Sequence, residues 1–211
     1  MLFRSGADVN AHNAEGSVLA HLSDNMSPEQ ARLLYTAGAR YRADIPADIQ
    51  EAIYSPYPAG LKMLLAEGLD VNRPILIDDD NRTPLQIAAW RGCEQALGLL
   101  LAAGASASIN YRDDTEGVTA LHAAVIACRD ETTACTNNVI VLLASGADAN
   151  LADRDGWTPL HSCAAYNLPH LIPCLLAQGA NPNLRDNQGK TPAALAAEKG
   201  FAAVLRQLAP R

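Results

Sequence analysis

Aromatic residues are scarce in this chain of 211 residues, where two Phe, two Trp and six Tyr make up 5%. A core with so few rings has to be built from Leu, Ala, Val and Ile, which suits closely packed helices better than a β-sandwich. Apolar residues nevertheless reach 49%. A disordered chain is not this apolar, so the composition indicates a folded, mainly helical protein.

Basic residues are also few. The 16 Lys and Arg stand against 23 Asp and Glu, which leaves a net charge of −7. Nucleic acids and anionic lipids are bound by clustered Lys and Arg, and no stretch approaches the ~20 apolar residues that span a bilayer. We therefore expect neither a nucleic-acid partner nor a membrane.

The five cysteines are an odd number and form no Cys-x-x-Cys motif. This usage is typical of a reducing compartment. Because the first residues also lack the apolar segment of a secretory signal, the sequence predicts a cytoplasmic protein. Cys128 and Cys135 lie in one segment and could pair if the protein were exported. No residue spacing indicates a cofactor or a metal site.

Self-similarity is the strongest signal in the chain. Five Leu-Leu pairs are each followed by a glycine, and these glycines, at 38, 68, 104, 146 and 179, are 30, 36, 42 and 33 residues apart. A tetrapeptide that begins with Thr opens each of the last four units, at Thr83, Thr119, Thr158 and Thr191. Thr caps helices, Pro is favoured at the first helical position, and Gly ends a helix in the left-handed conformation. Each unit is therefore predicted to be a pair of helices.

These motifs resemble those of the ankyrin repeat family, notably Thr158-Pro159-Leu160-His161 and the Leu-Leu-x-x-Gly-Ala segments. The resemblance implies an all-α ankyrin-repeat solenoid of about six helix-turn-helix units with β-hairpin-like fingers. The helix pairs are predicted to begin near residues 17, 46, 83, 119, 158 and 191. A single pair cannot bury its own apolar face, so the units must stack.

The array is predicted to be a single domain over 1–211. It divides into the closing half of a preceding unit at 1–10, degenerate repeats at 11–75, regular repeats at 76–187 and a C-terminal capping repeat at 188–211. The half unit at the start indicates a fragment of a longer chain or an odd half-cap. An insertion at 128–138 is predicted to extend the loop between two helices, as a neutral ornament or a second contact site.

Three histidines, His21, His122 and His161, occupy the same position in their units. Repetition at one position favours a structural task, and the resemblance implies that this His hydrogen-bonds backbone between units. His161 and Cys163 point to different sides of a helix because they are two residues apart, and no third group orients them for nucleophilic catalysis. We therefore expect no enzymatic activity.

Two acidic runs, Asp78-Asp79-Asp80 and Asp113-Asp114-Thr115-Glu116, fall in neighbouring fingers. Fingers lie side by side in a stack, so Asp79, Asp80 and Glu116 are expected to form a negative rim for a partner with a basic surface. The alternative is a solvated loop that keeps the protein in solution. A calcium loop is disfavoured because its ligand spacing and central Gly are absent.

The resemblance also implies where a partner docks, because ankyrin domains use the finger tips and the concave face formed by the first helices. The outward-facing positions are occupied by Arg82, Trp90, Arg91, Val118, Ile126, Trp157, Tyr166 and Lys190. Both tryptophans are among them, and Trp, Tyr and Arg dominate binding hot spots. The alternative is that the two tryptophans pack flat on neighbouring units.

The sequence therefore predicts a monomeric, non-catalytic ankyrin scaffold that binds another protein through the concave face and the finger tips. Two alternatives stay open. The array is a regulatory or targeting part of a longer enzyme or transporter, or it is a small bacterial inhibitor, immunity factor or effector chaperone.

Overall fold

The computed structural model describes residues 11–13, 16–17, 38–56, 58–77, 79–130 and 133–209. The helices in these ranges are α1 Pro46–Tyr54, α2 Ala59–Ala66, α3 Pro84–Trp90, α4 Glu94–Ala102, α5 Ala120–Ala127, α6 Thr133–Ala144, α7 Pro159–Ala165, α8 Ile172–Ala177, α9 Pro192–Lys199 and α10 Ala202–Leu208. The strands form two antiparallel hairpins, β1 His12–Asn13 with β2 Gly16–Ser17 and β3 Ile75–Ile77 with β4 Asp80–Arg82. Within the described ranges, no helix combines the length and the apolar character needed to cross a bilayer.

The helices form five consecutive pairs in the described part of the chain. The first helices of the pairs pack on one another in the order α1, α3, α5, α7, α9, and the second helices make the contacts α4–α6 and α8–α10. This two-layered stack confirms the predicted all-α solenoid. The half unit at 1–10 and the body of the helix pair predicted to begin near residue 17 lie outside the described residues.

Local capping explains where the helices begin and end. Thr83 Oγ1 accepts the N–H of Gln86 at 3.2 Å, and Gln86 Oε1 accepts the N–H of Thr83 at 2.7 Å, which closes a capping box at the start of α3. The second helices end at left-handed glycines such as Gly104, with φ 96°. Asn167 takes the place of Gly between α7 and α8 and adopts the left-handed conformation, with φ 56°.

The core runs between the two helix layers and consists of Leu and Ala. The first helices carry alanines with no exposed surface on their facing sides, including Ala88, Ala124 and Ala196, so neighbouring helices approach closely. The second helices contribute equivalent leucines, which are likewise fully buried: Leu64, Leu100, Leu142 and Leu175. Because the side chains between the helices are small, the helix layers pack densely without large aromatic rings.

The insertion at 128–138 is built differently from the predicted loop. A short 3₁₀ helix spans Cys128–Asp130, and α6 already begins at Thr133, so 133–138 are helical. Buried Cys135, Val139 and Leu142 follow one another at helical spacing, which explains why these residues extend the second helix. Cys128 and Cys135 are joined by a disulfide, with their Cα atoms 5.2 Å apart.

Candidate functional site

Three consecutive fingers are each closed by an aspartate that binds backbone. Asp153 Oδ1 accepts the N–H groups of Asp155 and Trp157 at 2.9 and 2.8 Å. Asp186 makes the same pair of bonds in the next finger, and Asp113 does so in the preceding one. These carboxylates fix the shape of the fingers from within, so acidic residues in a finger are not all available to a partner.

The fingers are also hydrogen-bonded to one another. The N–H of Arg154 donates to the carbonyl of Glu116 at 2.8 Å, and the N–H of Asn187 donates to the carbonyl of Asp155 at 3.0 Å. Gly156 has φ 81°, and a Cβ atom at this position would lie 2.7 Å from the backbone nitrogen of Asn187. The predicted side-by-side arrangement of the fingers is present here as a bonded row.

The repeated histidines join neighbouring units. Nδ1 of His122 accepts the N–H of Thr119 at 3.3 Å, so Nε2 carries the proton and donates to the carbonyl of Trp157 at 2.9 Å. His161 forms the equivalent bond to the carbonyl of Lys190 at 3.1 Å. Both histidines therefore perform the structural task that the sequence predicted. His21 lies outside the described residues.

The surroundings of the histidines keep them neutral. Burial lowers the pKa of His122 to about 4, and it lowers the pKa of His161 as well. Burial also raises the pKa of the Cys163 thiol, so no thiolate stands beside His161. Among the residues that the structure describes, no three His, Cys, Asp or Glu side chains are grouped to hold a metal ion.

The predicted acidic rim is smaller than the sequence indicated. Asp80 is only 2% exposed, and its Oδ2 accepts the Nε–H of Arg82 at 3.0 Å. The register of the β3–β4 hairpin pairs Asp80 with Ile77, and both side chains are buried. Asp80 is therefore corrected from a rim residue to a residue that is neutralised within its own finger. Asp79 and Glu116 remain exposed.

Two other predicted contact residues are engaged within the chain. Val118 is 4% exposed and does not offer its side chain to a flat partner surface, which corrects its predicted role. It is part of the hydrophobic core between neighbouring units, and its carbonyl accepts a hydrogen bond from Gln86 Nε2 at 2.7 Å. Lys190 forms a 2.7 Å ion pair with Glu198 on α9.

Arg82 precedes the N-cap of α3 and Trp90 is its last residue, and the side chains of these two residues meet. The Trp90 side chain is 38% exposed, and the Arg82 guanidinium lies 5.5 Å from the centre of its ring. Arg91 instead stacks on Tyr54 of the preceding unit, 4.4 Å from the ring centre. Sequence reasoning did not select Tyr54, because it lies in a degenerate repeat where the motif register is hard to follow.

A second group of predicted residues lines a depression of about 380 Å³ between two fingers and the first helices α5 and α7. We call it the Trp157 depression. Its apolar and polar walls include Glu116, Val118, Ile126, Trp157, Ser162 and Tyr166. Trp157 is half-buried and packs against the core, so it serves packing and lines the depression at once. Tyr166 is 36% exposed.

Several residues around this depression were missed by sequence reasoning, among them Arg154, Ser162 and Arg129. Arg154 lines it from the finger, Ser162 lines it from α7, and the guanidinium of Arg129 lies 4.9 Å from the centre of the Tyr166 ring. The repeat register contained a signal for Ser162, because the equivalent residues of the other three regular units are apolar: Ile87, Ala123 and Leu195. Arg129 comes from the insertion, which has no equivalent in the other units.

Asp153 adds a half-buried carboxylate to the Trp157 depression. Burial raises its pKa, and the N–H groups of Trp157 and Asp155 oppose that rise. Together with Glu116 and Asp155 it gives the depression three carboxylates against the single guanidinium of Arg154. Chemically, the site offers aromatic faces, a hydroxyl group and negative charge, a set suited to binding.

Comparison with known proteins gives relatives over most of the chain. The model for ankyrin repeats (three copies) matches residues 49–135 and 126–211. An ankyrin repeat protein of fowlpox virus (strain NVSL), FPV031, is 37% identical over 134 residues, which cover 64% of this chain and 37% of that protein. Protein PhlB of Serratia liquefaciens is 38% identical over 119 residues, or 56% of this chain and 48% of that protein.

A mammalian relative covers more of the chain. Ankyrin repeat and SOCS box protein 16 of Homo sapiens is 31% identical over 173 residues, which cover 78% of this chain and 36% of that protein. The chain thus spans less than half the length of each of these three relatives.

Proposed function

Because this chain belongs to the ankyrin repeat family, whose repeats are a generic protein–protein interaction module, we propose that it binds a partner protein through its finger tips and the exposed face of its first helices. The family is generally non-catalytic, and we extend this to the present chain as part of the proposal. The chain acts as a monomeric scaffold for that partner.

The observation that carries this proposal is the convergence of exposed aromatic residues on one layer of the stack. Trp90 and Tyr166 are 38% and 36% exposed and stand at the ends of first helices. Aromatic residues of this kind are the usual anchors of interfaces. The hydrogen-bonded row of fingers beside them supports a preordered surface, which loses little conformational entropy on binding.

The partner is proposed to present a basic surface. After the correction of Asp80, the exposed carboxylates of the fingers are Asp79, Asp114, Glu116 and Asp155. Complementary charge raises the association rate and the specificity of a complex. The cytoplasmic location is likewise part of the proposal. Disulfides are rare in the cytosol, so Cys128 and Cys135 would be present there as two thiols.

The other two roles that the sequence left open stay predictions. A regulatory or targeting part of a longer enzyme or transporter would use the same surface within its own chain. A bacterial inhibitor, immunity factor or effector chaperone would use it on one dedicated partner.

The test is a pull-down from a lysate of the source cell with wild type and a Trp90→Ala/Tyr166→Ala variant, followed by a direct binding measurement on the captured protein. Ile140→Ala is the matched control, because Ile140 is an equally apolar side chain that is 47% exposed on the second-helix layer. We expect the double variant to lose the partner and Ile140→Ala to keep it.

Circular dichroism and a thermal melt establish that each variant is folded before its binding is compared. A partner that is kept by the folded double variant and lost by Ile140→Ala would place the interface on the second-helix layer and overturn the proposal.

A further inference from the structure

The Trp157 depression combines features that suit one kind of side chain. Its two finger edges carry Glu116, Asp153 and Asp155. These three carboxylates stand against two cations, Arg154 in the lining and Arg129 stacked on Tyr166 at its edge, so the formal charge at the depression is −1. The guanidinium of Arg154 is already bonded to the carbonyl of Asp114 on the neighbouring finger. The net negative charge of the depression therefore favours the binding of a cation.

The chain itself shows how its exposed rings are used. Trp90, Tyr54 and Tyr166 each carry an arginine of this chain, with guanidinium-to-centroid distances of 5.5, 4.4 and 4.9 Å. Trp157 carries no cation from any described residue, although it lies among carboxylates. An indole face is the best aromatic partner for a cation, so a guanidinium from another molecule would complete the pattern.

Ser162 supplies an independent observation. Its side chain is 1% exposed, lines the depression and forms no hydrogen bond with any described residue. The Ser162 oxygen is not fully enclosed, since the fully buried side-chain atoms without a partner in the described residues belong to Asp80, Asn138 and Asp186. The equivalent residues Ile87, Ala123 and Leu195 are apolar, so this hydroxyl group is particular to its unit. A donor that enters the depression would satisfy the Ser162 oxygen.

We propose that the Trp157 depression receives one arginine side chain of the partner protein, stacked on Trp157 and donating to Ser162 and the carboxylate of Glu116. The guanidinium suits this site better than an ammonium because it is planar, stacks on aromatic rings and presents five donors in a fixed fork. The inference rests on the proposed function, since it assigns the chemistry of the group that the partner presents at this surface.

The experiment uses short peptides as probes for the full ¹⁵N-labelled chain. The peptides are Gly-Gly-Arg-Gly-Gly and its analogues with lysine or with citrulline, the uncharged isostere of arginine, in the central position. The chain has two tryptophans, so their indole N–H signals report on Trp157 and, as an internal control, on Trp90. We expect the arginine peptide to shift the Trp157 signal with millimolar affinity and to leave the Trp90 signal in place.

The variants Ser162→Ala and Glu116→Gln should each weaken binding of the arginine peptide about fivefold, since each removes one acceptor. Glu67→Gln, an exposed carboxylate at the end of α2, is the matched control and should bind as wild type does. Ala is tolerated at the Ser162 position, as Ala123 in the neighbouring unit shows. The dispersion of the amide signals confirms that each variant is folded.

Equal shifts with citrulline, equal affinity for lysine, or no shift of the Trp157 signal would each overturn the arginine subsite. These outcomes are separable from a failure of the proposed function. If the arginine peptide does not bind but the Trp90→Ala/Tyr166→Ala variant still loses its protein partner, the interface stands and the subsite falls.

Discussion

His122 connects two units through a single imidazole ring. Nδ1 meets the backbone and hydroxyl of Thr119, which starts its own helix, and Nε2 reaches the carbonyl of Trp157 in the next unit. Gln86 makes the same two kinds of bond in the preceding unit with its amide oxygen and nitrogen. The position therefore requires an acceptor and a donor at a fixed separation, which a neutral imidazole provides and a protonated imidazolium, having two donors and no acceptor, does not.

The neutrality of His122 makes stability depend on pH. Its folded pKa of about 4 lies below the unfolded value of 6.5, so the unfolded chain binds more protons in that window. Stability is complete above pH 6.5 and is lost as the pH falls towards 4. Between pH 7 and pH 5 we expect His122 to account for about 2 kcal/mol of lost free energy of unfolding.

The control for this prediction is His122→Gln, which places the side chain of Gln86 at the equivalent position. The variant should keep the hydrogen bonds and lose the pH dependence that belongs to His122. Urea unfolding of both proteins at pH 7, 6 and 5 measures the difference. If the free energy of unfolding falls with pH equally in the two proteins, His122 does not take up a proton on unfolding and the prediction is wrong.

The elements of this fold differ in how far local sequence defines them. α3 is bounded by Thr83, which caps it, and by Gly92, with φ 68°. Its limits follow from bonds between residues that are close in sequence. α6 is different, because the sequence at 128–138 has no such markers and its helix was predicted as a loop. Packing of Cys135 and Val139 against the stack decides that element.

The disulfide at the start of α6 gives a prediction at this scale. It closes a loop with a sequence separation of 7 residues, so its removal should lower the free energy of unfolding by about 2 kcal/mol through the entropy of the unfolded chain. We expect the Cys128→Ser/Cys135→Ser variant to show this loss in chemical denaturation without reductant. Cys93→Ser removes a free thiol and should cost much less.

The response to reductant completes this measurement. Wild type should present three reactive thiols when unfolded without reductant, from Cys93, Cys163 and Cys174, and five after reduction. If unfolded wild type shows five reactive thiols without reductant, and its stability is the same with and without reductant, the disulfide does not form in solution.

The whole molecule is a linear array in which each unit contacts its neighbours. Among the described residues, the interior units contact a neighbouring unit on both sides, whereas the unit of α9 and α10 makes its main contacts between units with α7 and α8. Stability in such an array is a sum of unit terms and interface terms. The same substitution should therefore cost less at the end of the array than in its interior.

Leu142 and Leu208 provide a matched pair for this prediction. They occupy equivalent positions in second helices, and they are 0% and 9% exposed. Leu142→Ala should lower the free energy of unfolding by about 2–5 kcal/mol, and Leu208→Ala by less than half of that amount. Urea denaturation followed by circular dichroism measures both. Equal losses of free energy of unfolding in the two variants would show that the cost of the substitution does not depend on the position of the unit in the array.

The repeat, the class of the fold and the starts of the regular helices follow from the amino-acid sequence alone. The reason is physical: capping by Thr83 or Thr119 and the left-handed turn at Gly104 or Asn167 depend on bonds within a few residues. The same register also placed Trp90 and Tyr166 at the ends of first helices and Trp157 in a finger.

Which of these residues are available to a partner depends on the tertiary structure. Asp80 is buried opposite Ile77 in the β3–β4 hairpin, Asn138 is buried with no hydrogen-bond partner among the described residues, and Ser162 faces a depression that two units build together. Each of these facts depends on contacts between elements. Burial and charge at such contacts are set by the stacked units, which no single repeat motif encodes.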